Sequence, residues 1–301
     1  MKGRWIAAAL FFAMSSTAFA QDDATQAAGV DFFASSDADN TAVVKVGLTF
    51  DYDFSNPENY QGVRLETFTF ASSGTAASYH ERGYFEIAGG GERWKWSGEA
   101  GTDGRTFLGN GTIHTDESFR QEYFLSRDLV ETPLGLSRGL YFTYGGASYD
   151  IALDDRNSLT LLAGLQGFTG KNYRVQLRGT YVYAVEPDWG LSIQLRSRYY
   201  HNSMPHEFDY FSPEYYFEAI PTVQMRRFLN RWQYLAALGW GARRDADTAW
   251  KSARLVNLSV TSPPFGREWY FKASFLYSNM PVVAAYTYNY EQVSVSFTRT
   301  L

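Results

Sequence analysis

The sequence predicts an all-β protein, a single transmembrane antiparallel β-barrel of about sixteen strands that occupies residues 21–301. Three observations predict it. Segment after segment alternates apolar with polar residues, as a strand does when successive side chains point to opposite faces. The segments run about ten to fourteen residues, longer than the ~5–6 typical of soluble strands and matched to a tilted membrane-crossing strand of ~9–11 residues with extensions. The chain also carries 22 Tyr, 23 Phe and 8 Trp beside a mean hydropathy of -0.32. Rings gathered in two interfacial girdles around a polar lumen reconcile those two figures.

Taken in order along the chain, residues 1–20 read first as a signal peptide. Lys2 and Arg4 give a positive start, residues 5–14 form a short apolar core, and Ala18-Phe19-Ala20 before Gln21 has the small-x-small pattern of a cleavage site. The competing reading is a short anchor helix. A polar lead of about ten residues follows, and then strands are expected near 27–33, 41–54, 60–71, 78–88, 92–101, 105–114, 118–127, 138–150, 157–168, 172–184, 189–201, 215–227, 230–243, 250–260, 267–279 and 286–301. In the second of these, Ala42, Val44, Val46, Leu48 and Phe50 alternate with Lys45, Gly47, Thr49 and Asp51. Tyr173, Val175, Leu177 and Tyr181 oppose Arg174, Gln176, Arg178 and Thr180; after the turn Glu186-Pro187-Asp188, Leu191, Ile193, Leu195 and Tyr199 oppose Ser192, Gln194, Arg196, Arg198 and Tyr200. Trp232, Tyr234, Ala236, Leu238 and Trp240 share the apolar face of a later segment, and Trp269, Phe271, Ala273, Phe275 and Tyr277 that of another. An even strand count is the habit of bacterial outer-membrane barrels, and closure removes the edges that so many long strands would expose.

Other classes are disfavoured. No stretch beyond the amino terminus approaches the ~20 apolar residues of a spanning helix. A secreted β-sandwich or propeller would have shorter strands and a less uniformly apolar outer face. With no Cys, disulfides, thiolate metal sites and Cys nucleophiles are out. Without Lys2 and Arg4 the chain holds 25 basic and 32 acidic residues, a net charge of -7, which argues against nucleic acid as a partner. Counting back from a periplasmic carboxyl terminus places 201–214, 243–249 and 280–285 outside and 154–157, 186–188 and 262–266 in the periplasm. The longest connection, 201–214, then falls outside, as long barrel loops do. The expected setting is the bacterial outer membrane, with lipid and lipopolysaccharide as surroundings.

Function is expected in the lumen. The candidate lining residues are Arg174, Gln176, Arg178, Gln194, Arg196, Arg198, Tyr200, Glu218, Arg226, Tyr270 and Tyr288, with Glu66, Glu99 and Glu122 facing in from other strands. The arginines either grip anionic permeants in bidentate fashion or pair across the lumen with the glutamates as stiffening. The inward tyrosines either offer stacking platforms to sugar rings or fill the lumen. The 201–214 loop, with His201, His206, Tyr210, Phe211, Ser212 and Pro213, is a candidate constriction. No cofactor or metal is expected: His201 and His206 could bind a metal, but two His in a loop more often do nothing, and the Asp51 and Asp53 pair and the Asp154-Asp155 turn, which hint at Ca²⁺, are residues that solvated turns use routinely. Nor is catalysis. A barrel phospholipase needs a His-x-Ser-x-Gly stretch, and His201-Asn202-Ser203-Met204-Pro205 has Met where Gly belongs.

The stretch Asp209-Tyr210-Phe211-Ser212-Pro213-Glu214-Tyr215-Tyr216, then Pro221 inside a strand, then the Trp-Tyr-Leu-Ala-Ala-Leu-Gly-Trp-Gly texture of 232–241, resembles the carboxyl-terminal porin domains of exopolysaccharide exporters. These are the export porins of the cellulose and poly-N-acetylglucosamine systems, with the related YaiO-type and phage-adsorption barrels. The resemblance covers about 157–301. The closing strand, with Val293, Val295, Phe297 and Leu301 on one face, is similar to the assembly signal of outer-membrane barrels except that it ends in Leu301 rather than an aromatic residue. The resemblance implies a sixteen-stranded barrel that passes a secreted polysaccharide or assists its secretion. Such exporters carry TPR repeats, and no 34-residue helical periodicity occurs here. A separate periplasmic TPR scaffold is therefore an expected partner, or else the barrel does another job. General diffusion of small anions, a receptor or structural role, and a barrel lipase follow in that order.

Overall fold

A computed structural model describes residues 26–37, 41–73, 76–263, 268–279 and 290–301. The expected signal peptide, the 280–285 loop and Tyr288 lie outside them. Among the described residues sixteen strands run in chain order: β1 (Ala27–Asp37), β2 (Ala42–Asn56), β3 (Asn59–Ala71), β4 (Ser78–Gly90), β5 (Trp94–Thr102), β6 (Phe107–Thr115), β7 (Arg120–Leu129), β8 (Tyr141–Ala152), β9 (Asn157–Phe168), β10 (Tyr173–Glu186), β11 (Leu191–Asn202), β12 (Tyr215–Leu229), β13 (Trp232–Asp245), β14 (Thr248–Thr261), β15 (Trp269–Ser278) and β16 (Tyr290–Thr300). Each is antiparallel to its chain neighbours, and β1 closes on β16 from Ala27↔Thr300 to Asp37↔Tyr290. Closure lets the backbone polar groups of the wall pair between strands, the condition for a sheet in hydrocarbon.

Alternation decides which solvent each side chain meets. Leu48, Leu65, Leu125 and Leu238 point outward and are left largely bare by the protein, Leu65 at 67%. They form the middle of an apolar band whose partner is lipid. Rings flank that band at both ends. Near the rim that carries the termini, Phe119 stacks on Tyr149 at 5.8 Å and Trp232 meets Trp269 at 5.8 Å; near the opposite rim Phe217 meets Trp250 edge-on at 6.0 Å.

Departures from the regular ladder have local causes. Pro221 faces outward on β12 and lacks an N–H, and the β12–β13 pairing skips from Ala219↔Ala242 to Thr222↔Gly239. The turn expected at 186–188 is a 3₁₀ turn, Pro187–Trp189, closed by Gly190 at φ 66, where a side chain would collide with the Arg226 carbonyl. Bulges interrupt β2–β3 after Asp51 and β13–β14 after Arg243.

The strand pattern gave no sign of one element. The β7–β8 connection contains a short helix, α1 (Pro133–Arg138), capped by Thr132, whose Oγ1 accepts from Gly135 N, and ended by Gly139 at φ 70. It lowers Leu136 into a cluster with Val43, Phe68, Phe70, Tyr84 and Leu108 from β2, β3, β4 and β6.

The lumen wall as the candidate functional site

The inward faces carry two unlike charge patterns. On β3 to β5 the residues interlock: Arg64 bonds Glu66 at 2.7 Å and Glu86 at 2.8 Å and also holds Glu99, while Arg82 reaches Glu66 and Asp128, each at 3.3 Å. Arg64 also lies 4.5 Å above the Tyr84 ring, and Arg82 4.7 Å above Phe68. Each cation is held by carboxylates on its own or nearby strands and backed by a ring.

On β10 and β11 Arg174, Arg178 and Arg196 sit among neutral acceptors. Arg174 donates Nε to Asn202 Oδ1 at 2.9 Å and Nη2 to the Phe211 carbonyl at 2.5 Å, and its guanidinium covers the Tyr200 ring at 4.5 Å. Arg196 donates to Gln194 Oε1 and Gln224 Oε1, both at 3.0 Å. Arg178 donates to Gln176 Oε1 at 3.4 Å, and the Gln176 amide donates in turn to Gln166 at 2.8 Å. Arg198 meets Glu218 at 2.9 Å. Arg174, Gln176, Arg178, Gln194, Arg196, Arg198, Tyr200 and Glu218 thus share one polar inner surface on three adjacent strands, as alternation required. Arg226 extends the inward face of β12 toward the termini rim.

Three expectations need correction. The arginines are not paired across the lumen with Glu66, Glu99 and Glu122. The first two serve Arg64, Glu122 meets Arg120 at 3.0 Å, and Glu218 is an adjacent-strand partner of Arg198. Tyr200 and Tyr270 do not present open stacking faces. Tyr200 stacks on Tyr216 at 4.9 Å and lies under Arg174, and Tyr270 packs on Phe54 at 5.7 Å. His201 is not in the loop: it is an outward residue of β11 paired with Tyr215.

The connection after β11 folds into the mouth. Tyr210 stacks on inward Phe168 at 4.3 Å and receives a hydrogen bond from Asn172 Nδ2 at 3.0 Å; burial pushes its phenol pKa up. The Phe211 and Pro213 carbonyls accept from Arg174 and Asn202, and buried Ser212 accepts from the His206 amide at 3.1 Å. His206 also approaches Asp247 at 3.2 Å. Two carboxylates pin the loop. Glu207 accepts from the amides of Lys171 and Asn172, and Asp209 accepts from Thr132 Oγ1 at 2.6 Å and Leu134 N at 2.7 Å. The second latch joins this loop to α1, so two connections fold inward where the sequence pointed to one. Thr132-Pro133 followed by Gly139 is the signal that marked the second.

On the same rim, Asp103 shows how such loop carboxylates are held. Burial alone would raise its pKa, but hydrogen bonds from Tyr141 Oη at 2.7 Å and from the Arg105 and Thr106 amides prevail and keep it below the ordinary aspartate value.

A closed antiparallel wall with a lipid-facing apolar band, ring girdles and a polar interior defines an outer-membrane β-barrel. No protein-family model matches the chain, and no curated protein matches it in sequence. Solved structures do. The chain is similar to a bacterial polysaccharide outer membrane secretin at TM-score 0.62 and 14% identity, over 91% of this chain and 98% of that one. It also matches OccK5 (OpdH) of Pseudomonas aeruginosa (TM-score 0.44, 8% identity, 92% and 98% covered) and OccAB3 of Acinetobacter baumannii (TM-score 0.42, 8% identity, 91% and 98% covered). What the likeness to the secretin barrel carries is the fold, an outer-membrane β-barrel.

Proposed function

We propose that the chain is a passive outer-membrane conduit for a secreted polysaccharide. The observation that carries this reading is the continuous ladder of hydrogen-bonding groups along one inner wall. On β11 alone Ser192, Gln194, Arg196 and Arg198 follow one another up the inner face from the termini rim, below Tyr200 and Asn202, which Arg174 and the mouth loop cover. A polymer that moves through a pore needs many weak, similar contacts and no deep trap, and such a ladder supplies them. The overall likeness to a polysaccharide secretin barrel supports the same reading. No bond is made or broken in this scheme, and delivery from the synthase side falls to a separate periplasmic scaffold. The runner-up is a diffusion path for small anions, which the arginine-rich wall favours.

Proteoliposomes loaded with a labelled neutral oligosaccharide test the proposal. Release through the reconstituted barrel is the expected result. Retention of the sugar by vesicles whose barrels pass small ions would overturn it.

A further inference from the structure

The ladder registers bring one row of charges together. Arg178 lies directly opposite Arg198, Arg198 opposite Glu218, Glu218 opposite Arg243, and Arg243 opposite Lys251, all on the inner face of β10 to β14. The row holds four cations and one carboxylate. Like charges set directly across a ladder destabilise a sheet, and this row contains two such pairs, Arg178 with Arg198 and Arg243 with Lys251.

Arg243 is the informative member. It is only 3% exposed, yet its Nε and Nη1 have no hydrogen-bond partner. The nearby carboxylate of Asp245 is engaged elsewhere: its oxygens accept from Asp247 N at 2.9 Å and Thr248 Oγ1 at 2.8 Å. The bulge between Arg243 and Asp245 sits beside this row, and bulges are a common way of re-aiming a side chain next to a working site. Arg178, with its single long bond to Gln176, has donors to spare on the same row. A buried guanidinium keeps its charge, so its unused donors call for an anion, and a carboxylate suits them as a charge-assisted acceptor.

Building on the conduit reading, we infer that this row is a carboxylate-binding belt and that the polysaccharide the barrel passes is acidic, with uronate-type carboxylates along its length. The two walls then divide the work. The carboxylate-rich side of β3 to β5 repels a polyanion, and the belt on β10 to β14 receives it. Because the contacts repeat along the polymer, each carboxylate can move to the next cation as the chain advances.

Planar-bilayer recordings of the full barrel test this with three probes: a neutral oligosaccharide, an oligouronate of the same length, and the uronate monomer. The oligouronate is expected to half-block the current at a concentration about tenfold lower than the neutral sugar, with the gap shrinking in high salt as charges are screened. The gap is also expected to close in Arg178→Gln/Arg243→Gln and to persist in part in Arg178→Lys/Arg243→Lys, which keeps the charge without the guanidinium. Equal block by the two oligomers would overturn the acidic-glycan inference and leave the conduit standing. A conducting barrel blocked by neither oligomer would overturn both. Block by monomer as effective as by oligomer would overturn the conduit in favour of a small-anion path. The salt dependence of the wild-type barrel reads the charge contribution without any variant.

Discussion

On β3 to β5 Arg64 is ringed by Glu66, Glu86 and Glu99, whereas on β10 to β14 Arg178, Arg198, Arg243 and Lys251 share a register row with Glu218 alone. Both walls are built from the same residue types on the same alternation. The difference is the balance of charge: carboxylates outnumber the cations around Arg64 and Arg82, and cations outnumber the carboxylate in the second row. A cluster whose cations are bonded to its own carboxylates is a fastening, with its geometry set by its own members. Arg174, Arg178 and Arg196 on the second wall are held by neutral asparagine and glutamine side chains, so no carboxylate cancels their charge.

The contrast between the walls predicts its largest effect at Arg64. Its removal in Arg64→Ala leaves three carboxylates facing one another in a partly buried setting, and an orphaned member of a buried ion network costs about 3–5 kcal/mol. The heat-induced mobility shift of the folded barrel on gels should move to a clearly lower temperature. The equivalent change on the other wall, Arg196→Gln, removes a charge whose partners are two neutral amides, so the folded barrel should persist and its anion preference should fall. A barrel that unfolds on Arg196→Gln and tolerates Arg64→Ala would invert the assignment of the walls.

At the mouth, Asp209→Ala takes the acceptor from Thr132 Oγ1 and Leu134 N. Donors left without a partner cost about 1–3 kcal/mol, here local to the latch between α1 and the 203–214 connection. Faster protease cleavage within 203–214 and noisier single-channel current are expected, with the strand wall intact.

The smallest effect concerns acid. Asp103 titrates below the ordinary aspartate value in the folded barrel, so the stability it contributes is present above that ordinary value and is lost as the pH falls through the lowered one. Asp103→Asn should remove this acid-dependent loosening of the β5–β6 loop, read by hydrogen exchange of the Arg105 and Thr106 amides at acid against neutral pH.

Most of the wall was legible because a strand's period of two leaves little freedom. Once Leu177 is assigned to lipid, Arg174, Gln176 and Arg178 must face in, and the sixteen segments fall within a few residues of the observed strands. Charge pairing was not legible, because it depends on which strands are neighbours and at what register. Glu99 and Arg64 are 35 residues apart and meet only through β4. The fate of Tyr200 was hidden for the same reason, since its cover is Tyr216 of the next strand. The inward-folded β7–β8 connection escaped the strand pattern because its signals are local caps, Thr132 and Gly139, which fix a turn and say nothing of the lumen it covers.

On the conduit reading, the β10 to β14 wall, and not the β3 to β5 wall, sets what the lumen accepts. The most direct measurement is the zero-current potential of the wild-type barrel in a planar bilayer across a salt gradient. A potential displaced toward that of the anion, and carried toward zero by Arg178→Gln/Arg196→Gln, is the result expected; a cation-selective barrel, or an anion preference untouched by those substitutions, would contradict it.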